Sequence, residues 1–209
     1  FISLIGSLFV VAGGIHFNLR GKAAPWENVA LLGAGALLSN LIGTTGASML
    51  LIRPYLRSNK YRVKGYHVVF FIFIVSNIGG ALTPIGDPPL FLGYLKGVPF
   101  FWVVTKAWFA WMLVLGLLLL LFYALDRYYF RQVSRKTQSE AIQPETVTFS
   151  GLHNVWFLVI IIATVFVQRP LMLREVLMWS AAMGSYFTTR HEVHKKNEFN
   201  FVPLREVAI

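Results

Sequence analysis

Residues 76–89 read Ser76-Asn77-Ile78-Gly79-Gly80-Ala81-Leu82-Thr83-Pro84-Ile85-Gly86-Asp87-Pro88-Pro89, inside an apolar run covering residues 68–95. Pro84, Pro88 and Pro89 lack a backbone N–H and interrupt a helical ladder. Gly79, Gly80 and Gly86 let the chain turn. The expectation is two half-helices joined by an unwound stretch. In hydrocarbon the freed carbonyls find partners only in protein or in a bound cation. Asp87 reads in two compatible ways. It is an N-cap for a half-helix opening at Pro88, and it is an intramembrane carboxylate able to hold a cation or carry a proton.

The surrounding composition puts this stretch in a bilayer. Of 209 residues, 56% are hydrophobic and 13% charged. The charges cluster between long apolar runs, as a hydrocarbon layer requires. Residues 1–17, 68–95, 104–125, 152–167 and 171–187 are candidate spans. The segment 110–125, AWMLVLGLLLLLFYAL, carries no charge. Asp87 is the one acidic residue placed within a span. Asp126 and the other carboxylates fall in loops or at span ends.

Residues 29–52 are ambiguous. Their middle, LLSNLIGTTGASML, gathers Ser39, Asn40, Gly43, Thr44, Thr45 and Gly46. It reads either as one crossing or as a re-entrant hairpin with the polar stretch at its tip. In the hairpin reading 15 Lys and Arg lie on one side against 4 on the other; a single crossing makes the split 13 to 6. The positive-inside rule favours the hairpin and makes loops 53–67, 126–151 and 190–205 cytoplasmic, in a multi-pass protein of the cytoplasmic (inner) membrane. Residues 126–151 read as a helix leaving the membrane and dissolving into a mobile linker. The fold class is all-α: a polytopic membrane protein with a re-entrant hairpin and a discontinuous transmembrane helix.

Several functions are disfavoured. The chain has no Cys, so disulfides, thiolate metal sites and Cys nucleophiles are excluded. A net charge of +10 is explained by basic loops facing anionic lipids rather than by nucleic acid. No Ser/His pair, Asp pair or His/Glu metal set falls within the spans, so no enzyme is expected. His16, His67, His153, His191 and His194 read as interfacial, and Trp26, Trp102, Tyr128 and Trp156 as interface anchors. No cofactor is expected beyond Na⁺ and H⁺ as transported or coupling ions. The expected partners are membrane lipids and small ions or anions, with a homodimer as an option.

The two polar patches, in this order, resemble the ion transporter superfamily: divalent-anion/sodium symporters, citrate–metal symporters, arsenite permeases and NhaD-type sodium/proton antiporters. Ser76-Asn77-Ile78-Gly79-Gly80 and Gly86-Asp87-Pro88-Pro89 are similar to that group's unwound-helix motif. Ser39-Asn40 or Gly43-Thr44-Thr45 resembles its hairpin tip. Asp87 stands where the anion symporters carry Thr, which looks more like the NhaD type. The resemblance covers roughly residues 28–126. It implies a Na⁺/H⁺ antiporter-like secondary transporter, with a citrate, dicarboxylate or oxyanion carrier as the alternative and a non-transporting scaffold as the reading of another class. The implied ion or substrate site is Ser39, Asn40, Gly43, Thr44, Thr45, Ser76, Asn77, Gly79, Gly80, Thr83 and Asp87. Asn40, Thr44, Asn77 and Asp87 are its Na⁺ candidates, and Asp87 is its proton carrier. It also implies an inverted-repeat architecture, with residues 1–151 as a first repeat truncated at its N-terminus and 152–209 as spans leading to an absent second repeat.

Overall fold

The computed structural model describes residues 2–20, 23–133, 146–167, 172–197, 199–202 and 205, and it is mostly helical. Its helices are α1 (Ile2–Gly13), α2 (Pro25–Ser58), α3 (Gly65–Phe71), α4 (Pro88–Leu95), α5 (Trp102–Gln132), α6 (Asn154–Thr164), α7 (Leu173–Thr188) and α8 (His191–Lys196). Strands β1 (His16–Arg20) and β2 (Thr146–Ser150) pair antiparallel, His16 opposite Ser150 and Arg20 opposite Thr146. This pairing was not expected from the sequence, which reads β2 as the end of a loop. The middle of that loop, residues 134–145, lies outside the described residues.

Helix α2 opens with Pro25 in its first turn and Glu27 accepting the Ala24 backbone N–H at 3.1 Å. It is broken at Gly43, where φ is 78° and ψ 154°. That region of backbone space belongs almost wholly to glycine. Beyond it the chain folds back. The side chains of Asn28 and Asn59 exchange two hydrogen bonds, of 2.9 and 2.8 Å. In an unbroken helix these residues would stand about 46 Å apart. Gly35 lies against Leu51, close enough that an added methyl would come within 2.9 Å of it.

Helix α3 does not run on as one helix through residue 95. It widens into a π-helical run, Ile72–Asn77, tightens into a 3₁₀ turn, Ile78–Gly80, and unwinds before α4. Leu32, Ala36, Leu51, Tyr55, Phe71, Ile74, Val75, Leu115 and Phe122 form the core between the folded α2, this broken segment and α5. Helix α1 packs on α2, and α6 and α7 pack on α1 and on each other, through Leu8, Val11, Ile161, Val165, Met178 and Ala182. Helix α1 stops at Gly13–Ile15, whose carbonyls accept hydrogen bonds from the buried Asn154 and from Asn197.

Helix α5 leaves most of its surface uncovered. Trp108, Phe109, Met112, Leu113, Leu117, Leu120 and Leu121 are each at least half exposed. In water this face would forfeit on the order of 10 kcal/mol of burial, comparable with the whole stability of a domain. Covered by lipid it forfeits nothing. Among the described residues two helices, α2 and α5, are long and apolar enough to cross a membrane. The fold-back at Gly43 means the length of α2 is that of two antiparallel arms.

Candidate functional site

The two polar patches meet where the bend of α2 crosses the broken segment. Gly79 sits against the backbone of Ala36, and Gly80 lies against Gly86 and the Thr44 side chain, leaving no room for a Cβ. Ser39, fully buried, has its hydroxyl within 2.9 Å of the Gly35 carbonyl and 2.7 Å of the Val75 carbonyl. The Asn40 amide donates to Ala36 O at 3.2 Å and Gly79 O at 2.6 Å, while its oxygen accepts Leu82 N–H at 3.0 Å. Thr83 Oγ1 donates to Asn40 O at 2.6 Å and accepts Gly86 N–H at 3.1 Å. Thr44 N–H donates to Gly86 O at 3.3 Å, and Trp111 of α5 donates to Ile78 O at 2.8 Å.

The carbonyls of residues 75 and 79 at the break are thus met by Ser39 and Asn40, and that of Ile78 accepts both the Ala81 N–H at 3.1 Å and Trp111. Ser39, Asn40 and Thr83 act as cross-links. Both Asn40 hydrogens and its oxygen are committed to backbone. Such side-chain bonds to otherwise orphaned groups are what allow irregular backbone inside apolar surroundings.

Four further hydroxyl-bearing residues lie beyond the cross-links. Thr44, Thr45, Ser48 and Ser76 line a cavity of about 550 Å³, walled also by Arg53, Phe71 and Asn197. The Ser48 and Ser76 hydroxyls, both in its wall, share a hydrogen bond of 2.7 Å. Its volume suits a small organic molecule better than a bare ion. A smaller cavity of about 30 Å³, mostly apolar, lies under the bend between Leu4, Leu8, Pro84 and Phe91. Asn77 is exposed at the π/3₁₀ junction. Asp87 is half-buried at the start of α4, with an extended backbone and no side-chain bond to that helix's amides. The described lining of the larger cavity includes neither Asn77 nor Asp87.

A second polar cluster escapes the sequence reading. Asp126, near the end of α5, and His67, in the first turn of α3, are both completely buried within the protein rather than facing water. Asp126 Oδ1 accepts from Arg62 and from Tyr66 Oη at 2.7 Å, with His67 Nε2 at 3.3 Å; Oδ2 accepts from Arg62 at 2.9 Å and Asn28 at 3.0 Å. The Lys64 N–H donates to His67 Nδ1, so Nε2 carries the proton that faces the carboxylate. Burial alone would lower the Arg62 pKa. The hydrogen bonds and charge of Asp126 outweigh burial and raise it. The cluster ties both ends of α2 to α3 and α5. The available clue was a lone acid ending a long apolar run amid basic residues.

The family model described as "Putative citrate transport" matches residues 1–209, the whole chain. No curated protein and no solved structure matches it. With two broken segments cross-linked beside a cavity that Thr44, Thr45, Ser48 and Ser76 help to line, and an α5 face suited to lipid, the chain is a membrane protein and belongs to the citrate transport family that this model describes.

Proposed function

We propose that this protein is a secondary carrier that moves a small organic polycarboxylate, citrate or a close analogue, with a cation as coupling ion. The observation that carries the reading is the 550 Å³ cavity. It opens where two broken backbone segments cross, and Thr44, Thr45, Ser48 and Ser76 line it. Hydroxyls bond carboxylate oxygens without a fixed charge, so a carrier can release what it binds. Crossed broken segments near the bilayer midplane are the recurring site of secondary transporters. The role assigns no bond-making chemistry to the chain.

In this reading α2 is a re-entrant hairpin entering and leaving at the cytoplasmic face, and the chain is one half of an inverted repeat. The Asn28–Asn59 pair supports the first point, and so does the β1–β2 pairing, which joins two loops that a single crossing would separate. Asp87 is the candidate for the coupling cation, because its carboxylate is not engaged in capping α4. The same observation favours a second reading, Na⁺/H⁺ exchange with Asp87 as the exchanging group.

Uptake into liposomes carrying the purified, intact protein separates the two. The carrier reading expects saturable uptake of labelled citrate driven by a Na⁺ or proton gradient, with Asp87→Asn abolishing the gradient dependence. Na⁺-driven proton release with no carboxylate required, and lost in Asp87→Asn, would replace it by the second reading.

A further inference from the structure

The returning arm of α2 and the segment leading to the break run antiparallel along the larger cavity, in a register that three contacts fix. Gly80 lies against the Thr44 side chain, the Ser48 and Ser76 hydroxyls are bonded at 2.7 Å, and the Tyr55 and Phe71 rings stack at 5.6 Å. The described lining sorts along this axis. Thr44, Thr45, Ser48 and Ser76 stand at the bend and the break. Met49 and Ile52 follow on the arm, and Ile72, Phe71 and Val68 precede Ser76 by about one to two turns. One end of the cavity therefore offers hydroxyls and the other hydrocarbon, with Phe9 the apolar side chain that also reaches the small cavity under the bend. No carboxylate is among the described lining residues. Arg53 and Asn200 already have interactions within the protein, and the Asn197 amide is committed to the Gly13 and Ile15 carbonyls, so these three count as wall.

We infer that the substrate is amphipathic: a carboxylate head that the four hydroxyl residues receive, and a hydrocarbon group that lies against Ile52, Val68, Phe71 and Ile72. A carboxylate pressed on the hydrocarbon end would lose its water for no hydrogen bond, and an alkyl group among the hydroxyls would leave them unpaired. One orientation satisfies both ends. Citrate has no hydrocarbon group larger than a methylene, so it fills the polar end and leaves the apolar end to water. An alkyl-substituted dicarboxylate fills both. This substrate class rests on the carrier reading above and narrows it, from small polycarboxylates in general to those that bear an alkyl or aryl group.

Calorimetric binding of succinate, methylsuccinate and propylsuccinate to the intact, purified protein tests the apolar end. A methylene moved out of water gains about threefold to fourfold in affinity. Propylsuccinate should therefore bind wild type about tenfold or more tighter than succinate. Val68→Thr with Ile72→Thr places hydroxyls at the apolar end and should cut that gain to about threefold or less. Should the double variant fail to fold, Ile72→Thr decides alone, because Ile72 is half exposed; it should at least halve the gain. Ser48→Ala should weaken all three ligands by one factor, about threefold to tenfold, and keep the gain. A smaller gain in wild type overturns the assignment. So does a gain that the threonine variants leave whole, since the alkyl group then lies elsewhere. If succinate or citrate binds wild type in those cases, only the amphipathic substrate falls. Wild type that binds none of the three, nor citrate, removes both that substrate class and the carrier reading.

Discussion

Among single residues, Asp126 makes the sharpest claim on stability. Each of its oxygens already receives at least two donors, Oδ1 from Arg62 and Tyr66 and Oδ2 from Arg62 and Asn28. Asparagine is nearly the same shape but turns one oxygen into an NH₂. Whichever side it takes, donors face donors and Arg62 is left buried without an anion. Breaking a buried pair from one side costs about 3–5 kcal/mol, whereas exchanging both partners for apolar side chains of similar volume is often close to neutral. Asp126→Asn should therefore lower the unfolding midpoint in detergent far more than the pair Asp126→Leu with Arg62→Met. Thermal unfolding of the purified variants checks the order, and equal losses would show that the charge pairing is incidental. Little of this could be read from the sequence. Asn28, Asn59, Arg62, Tyr66, His67 and Asp126 each sit at the end of an apolar run, where water is the default partner, and only the fold-back of α2 makes them neighbours.

For the elements, the glycines separate those that shape the fold from those that merely occupy it. Gly43 adopts φ 78° and ψ 154°, and a Cβ there would sit 3.4 Å from the Ile85 carbonyl. Alanine in that conformation costs about 1–3 kcal/mol. Gly116, inside α5, has nothing within 4 Å of an added Cβ. Alanine there gains about 0.5–1 kcal/mol of helix propensity. Gly43→Ala should thus lower the unfolding temperature and Gly116→Ala hold or raise it, with opposite signs in one assay. A Gly43→Ala protein as stable as wild type would mean that the bend does not depend on this residue. The break after α3 was legible because three prolines and three glycines between residues 79 and 89 leave no continuous ladder. Which patch residue forms the bend was not, since Ser39-Asn40 and Gly43-Thr44-Thr45 both suit a polar tip. The burial of Ser39 and Asn40 against the broken segment distinguishes cross-link from bend, and one chain alone cannot supply that tertiary fact. Asn77 and Asp87 belong to the same motif as Ser76, yet the described lining of the cavity includes Ser76 and neither of them.

For the molecule as a whole, the topology rests on whether residues 25–58 cross the bilayer or return. As one unbroken helix they would carry Trp26 and Lys60 about 50 Å apart, to opposite sides of the membrane. Folded at Gly43, with Asn28 bonded to Asn59, both residues belong to the end where Asp126 gathers Arg62, Tyr66 and His67. Composition pointed the same way through the basic loops, but a 15 to 4 split against 13 to 6 is a weak preference until the chain is seen to turn. These 209 residues contain no cysteine, so a thiol introduced here is the only one among them. Trp26, Lys60 and Lys96 are exposed. Three variants with cysteine at one of these positions, labelled in intact cells and in inverted vesicles by a maleimide that cannot cross lipid, should fall into two groups. Trp26→Cys and Lys60→Cys should react only in inverted vesicles. Lys96→Cys, beyond α4 and before the full crossing of α5, should react in intact cells. Reaction of Trp26→Cys and Lys60→Cys from opposite sides would make α2 a single crossing, dissolve the meeting of its two ends, and take the cavity with it.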